Sequence, residues 1–74
     1  MPTLTIGKRT YTVSRERVIR AAERLHKLSE ARRASGIEKA KTQLARAAAG
    51  SGNSADNAAK QAAAVLLSQG VTEI

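Results

Sequence analysis

Thr3-Leu-Thr-Ile-Gly-Lys-Arg-Thr-Tyr-Thr-Val13 is the stretch on which the fold of this chain turns. Both halves alternate and are rich in Thr and β-branched residues, which predicts two half-buried strands. Gly7-Lys8 between them fits a two-residue type II′ turn, which takes Gly first. Such a loop pairs Ile6 with Arg9 and Leu4 with Tyr11, and paired residues share a face. Leu4, Ile6, Tyr11 and Val13 then fall on one side. Thr3, Thr5, Thr10 and Thr12 fall on the other. A lone hairpin is marginal in water, so this one must pack on helices or join a partner's strands.

Beyond Val13 the period changes from two to 3.6. Ser14 is placed to cap a helix, with Glu16 in its first turn. The spacing predicts a first helix over residues 15–35, with Gly36 as the residue after its end. Val18, Ala21, Ala22, Leu25 and Leu28 form its apolar stripe. A second helix is predicted over 37–49, with Ile37, Ala40, Leu44, Ala47 and Ala48 on one face and Lys39, Gln43 and Arg46 turned away. Gly50-Ser-Gly-Asn-Ser54 reads as a flexible connection, and Ser54 as the cap of a third helix over 55–69, followed by Gly70. Ala55, Ala58, Ala59, Ala62, Ala63, Val65, Leu66 and Leu67 give that helix an apolar arc wider than one neighbouring helix covers. The tail Val71-Thr-Glu-Ile74 either adds a short strand or frays. The expected fold is therefore mainly α with a small N-terminal β-hairpin followed by three helices, in one domain spanning 1–74.

The core this chain can build is thin. Of the 42% of residues that are hydrophobic, 15 are Ala, Tyr11 is the one aromatic, and there is no Cys. An Ala methyl removes little area from water. Disulfides are excluded, and one His without Cys makes a structural zinc implausible. Chains of this size often add stability by oligomerising. A homodimer is the expectation, with Val18, Leu25, Leu28, Ala62, Val65 and Leu66 at its interface.

Charge is distributed unevenly. Lys and Arg number 13 against six Asp and Glu, for a net charge of +7, and Lys60 alone among the cations lies beyond Arg46. This balance favours an anionic partner. Arg17, Arg20, Arg24 and Lys27 make a basic stripe on the first helix, and Lys8 and Arg9 project from the hairpin tip. Cations so placed can contact phosphates along a duplex. Glu16, Glu23 and Glu30 form a ridge beside the stripe that offsets its field, through i,i+4 pairs Glu16–Arg20 and Glu23–Lys27. Arg32 and Arg33 suit the negative end of the first helix's dipole.

Several functions are disfavoured by the same inventory. No Cys nucleophile and no paired carboxylates are present, and His26 has no orienting acid, so catalysis is not expected. No cofactor and no metal site is expected. Gly50 to Ser54 lacks the Lys of a phosphate-binding loop. Membrane binding is not expected, because the basic face has no Trp or Phe anchors and no stretch is long enough to span. Single-stranded nucleic acid is gripped by aromatic platforms, which one Tyr cannot build. With no apolar leader at the N-terminus, a cytoplasmic location is expected.

Arg9-Thr-Tyr-Thr-Val13, followed by a capped basic helix and a second helix, resembles the ribbon-helix-helix repressors in order and composition over residues 9 to about 49. That resemblance implies a strand pairing across a dimer, with its outward side chains in a DNA major groove. The predicted first helix is longer than in that family, Thr3 to Ile6 and the third helix are additions, and Ser35-Gly36 replaces the usual turn, so membership is not assigned. The expected function is a small basic accessory or regulatory protein contacting the backbone of duplex nucleic acid. The alternative is a non-enzymatic interaction module, a small inhibitor or adaptor, that docks on an acidic protein surface.

Overall fold

The computed structural model describes residues 1–50 and 52–74. Its elements are β1 (Thr3–Ile6), β2 (Arg9–Thr12), α1 (Arg15–His26), α2 (Glu30–Ala49) and α3 (Asn53–Ser68). This is the expected hairpin followed by three helices. β1 and β2 pair antiparallel in the register Thr3↔Thr12, Leu4↔Tyr11, Thr5↔Thr10 and Ile6↔Arg9. Gly7 has φ +58°, and among the described residues no non-glycine has positive φ. Lys8 therefore follows with negative φ, which fits a type II′ turn and rules out type I′. β2 finds its neighbour strand within the same chain, unlike the ribbon strand of the family it resembles.

The three helices pack as the thin core demands. α3 is the central element and touches α1, α2 and both strands, whereas α1 and α2 contact each other only lightly. Leu4, Leu44, Leu66 and Val13 are the largest fully buried side chains. They tie the hairpin, α2 and α3 into one cluster. Ala59, Ala62, Ala63 and Ala64 are also buried along α3, and their small side chains let α3 approach several neighbours closely. Most of the wide arc of the third helix is thus covered by its own chain, with Ala58 left exposed.

Two helix boundaries differ from expectation. The helix expected over 15–35 ends at His26, and α2 begins at Glu30 and runs straight through Gly36. Ser29 is the reason. Its backbone is extended, with φ −63° and ψ 161°, and its side chain accepts from the Arg32 N–H. Arg33 secures the break from the other side. Its Nε donates to the Leu25 carbonyl at 3.2 Å and its Nη2 to the Leu28 carbonyl at 3.3 Å. The Leu25 carbonyl also accepts from the Leu28 N–H at 3.0 Å, so Arg33 adds a second donor there and bridges it to the Leu28 carbonyl. Gly36 is not a terminator. It lies within α2 opposite Leu25. α3 also starts early, with Gly52 rather than Ser54 at its N-cap. The expected connection through Ser51 lies outside the described residues at that position.

The end of α3 follows expectation. Gly70 has φ +82°, its N–H donates to the Leu67 carbonyl, and the Val71 N–H donates to the Leu66 carbonyl. This paired 5→2 and 6→1 pattern reverses the chain at a residue that tolerates the left-handed region. The tail then runs beside β1. Thr5 N–H donates to Thr72 carbonyl and Ile74 N–H to Thr5 carbonyl, each at 2.9 Å. Thr5 and Glu73 form a parallel bridge. The tail thus adds to the sheet rather than fraying.

Candidate nucleic-acid interface

The expected cations are exposed, and the fold gathers some of them with residues distant in sequence. Arg9 extends from the start of β2 on the same face as Tyr11, and Arg17 extends from the first turn of α1. Lys60 rises from α3 between them. A shallow groove of about 430 Å³ is lined by Arg9, Thr10, Tyr11, Thr12, Asp56 and Lys60. It adjoins a second, of about 210 Å³, lined by Thr12, Val13, Ser14, Arg17, Asn57 and Lys60. Thr12 and Lys60 are common to both. The result is one polar trough running from the hairpin to the N-terminus of α1, with three cations against Asp56.

Ser14 fixes the α1 end of the trough. Its backbone is extended and its side-chain oxygen accepts from the Arg17 N–H at 3.3 Å. Arg24 follows Arg17 by seven residues, so it lies on the same flank about 10 Å further along the helix. Arg20 sits beside them but is tied to Glu16 at 2.8 Å. Both partners are more than two-thirds exposed, so the pair is weak and open to exchange. Lys8 is exposed at the turn and Lys27 at the end of α1; neither lines the trough.

The acidic ridge is weaker than expected. Among the described residues, Glu23 and Lys27 do not form an ion pair. Glu30 belongs to the first turn of α2, where it favours that helix's dipole instead of flanking the stripe. The other ion pairs are Lys41–Glu38 and Lys60–Asp56, at 3.7 and 3.5 Å.

The residues expected at an oligomer interface fall differently. Leu25, Ala62 and Leu66 are buried within the chain itself, at 6, 1 and 0% exposure. Val18 and Val65 are partly covered by the core, and Leu28 is half-buried beside the α1–α2 break. Lys60 and Asn57 were not among the expected site residues. The one available signal was that Lys60 stands alone in an Ala-rich helix. α2 carries a further basic row, Arg32, Lys39 and Arg46, exposed and seven residues apart.

Tyr11 lies beneath the trough at 5% exposure, and its hydroxyl is buried without a hydrogen-bond partner among the described residues. The aromatic ring therefore has no exposed face on which a base can stack. Among the described residues, no helix is long and apolar enough to cross a membrane. Comparison with protein-family models, curated proteins and solved structures gives no match, so the functional reading rests on this chain's own residues.

Proposed function

We propose that this chain is a small nucleic-acid-binding accessory or regulatory protein that holds the backbone of a duplex. Unpaired positive charge carries this reading. Only Arg20, Lys41 and Lys60, of 13 cations, stand within 4.0 Å of a carboxylate among the described residues. Arg9, Arg17 and Arg24, with Lys60 between them in a partly exposed pair with Asp56 that a phosphate can exchange, follow one another across the hairpin, α3 and α1, which suits a row of phosphates. A duplex is favoured over a single strand because Tyr11 is buried and offers no stacking platform.

Affinity for a duplex DNA fragment measured across a salt series tests the reading. Four phosphate contacts give a slope of log K against log salt of about −3.6. Affinity then falls roughly 150-fold between 50 and 200 mM salt at that slope. No measurable binding at the lowest salt sinks the proposal.

A further inference from the structure

The two edges of the sheet are not alike. Thr5 directs its N–H and C=O outward to the tail. Its cross-strand partner Thr10 must then direct its own pair outward on the opposite side, because the two groups of a non-hydrogen-bonded pair point away from each other. The Val13 N–H donates to Pro2 carbonyl at 3.0 Å, which confirms the alternation. Thr12 is therefore oriented like Thr10. Among the described residues, no hydrogen bond reaches the backbone N–H or C=O of either. β2 thus presents an open edge, and both threonines are exposed. The β1 edge carries an extended segment already, the chain's own tail, so this sheet is built to accept one.

The trough lies along that open edge, and its charge selects the occupant. Arg9, Lys60 and Arg17 line it against Asp56 alone. We propose that the edge of β2 takes an extended acidic peptide segment as an added strand. The added backbone pairs with Thr10 and Thr12. Alternate side chains of the segment, which share the face of Tyr11, carry carboxylates toward Arg9 and Lys60. A second copy of this chain fits poorly, because edge-to-edge pairing would set Arg9 and Lys60 against their own duplicates on a chain of net charge +7. Nothing here depends on duplex binding, and the test is run without nucleic acid.

An octapeptide alternating Glu and Thr is titrated into the whole protein at low salt, beside the same peptide N-methylated at the residues that would donate to the edge. The expected result is saturable binding of the first peptide and a loss of at least tenfold in the second. At saturation, exchange of the Thr10 and Thr12 amides slows at least tenfold, while Thr5, already bonded to the tail, is unchanged. Lys60→Glu and Arg9→Glu each weaken the peptide at least tenfold, with folding checked by circular dichroism. Equal affinity for both peptides means attraction by charge alone and overturns the proposal. So does unprotected exchange at Thr10 and Thr12, or no binding at millimolar peptide. The two-peptide comparison uses the unaltered protein and so stands even if a variant misfolds.

Discussion

Replacing Arg33 by Met removes the clasp that holds α1 and α2 at their break, and its cost can be worked from the structure. The guanidinium donates two hydrogen bonds, to the Leu25 and Leu28 carbonyls, at 3.2 and 3.3 Å. Hydrogen bonds from charged donors contribute about 1.5–3 kcal/mol each when short and shielded. These two are long and half-exposed, so about 1 kcal/mol each is appropriate, or about 2 kcal/mol together. Met keeps the apolar stem and its packing, which isolates the donors. For a domain of this size the melting temperature should fall by roughly 8–16 °C. Arg32→Met is the matched control. It removes the same charge one residue away, from a side chain that is exposed, and should change stability by less than about 0.5 kcal/mol. Arg33→Lys keeps the charge near the end of α1 without the two-pronged geometry, and should fall between. Thermal melts followed at 222 nm read all three. Equal shifts for Arg33→Met and Arg32→Met would refute the clasp and leave Ser29 as the sole cause of the break.

Tyr11→Phe should stabilise the protein by about 1 kcal/mol, because it deletes a buried hydroxyl that has no partner among the described residues; a loss of stability in urea unfolding would mean the hydroxyl is satisfied. Gly36→Ala should also stabilise, by up to about 1 kcal/mol, since Gly36 sits inside α2 and an added Cβ meets Leu25 Cδ2 at an ordinary 3.7 Å. Were Gly36 a helix terminus, the same change would destabilise. Arg17→Gln with Arg24→Gln should reduce the salt slope of duplex binding by about 2 while leaving the melting temperature nearly unchanged. An unaltered slope would remove that flank of α1 from the interface. Sedimentation equilibrium should return a mass near 7.8 kDa, because among the described residues just three large hydrophobics, Met1, Ile19 and Ile74, are exposed. Twice that mass would restore the dimer expected from composition.

The hairpin was legible residue by residue, because its determinants are local. A period of two, a Gly at the first turn position and β-branched neighbours leave one register that buries Leu4, Tyr11 and Val13 together. The end of α3 at Gly70 was legible for the same reason, since the left-handed residue lies beside the helix it stops. The basic stripe was legible as composition on a helical wheel. The break at Ser29 was not. Ser29-Glu30 and Gly36 are both local stop signals, and short-range propensity does not rank them. The tertiary structure does, because Arg33 can reach back to the Leu25 and Leu28 carbonyls only if the chain turns at Ser29. That turn removes Glu30 from the expected acidic ridge. The cover over the Ala-rich arc of α3 and the meeting of Lys60 with Arg9 and Arg17 were likewise invisible in sequence. The first depends on how α2 folds back on α3 and the second joins positions more than 40 residues apart, and no periodicity within either segment encodes the other. The sequence by itself determined that the chain is basic, helical and begins with a hairpin. Only the tertiary structure decided which cations share a surface and which edge of the sheet stays open.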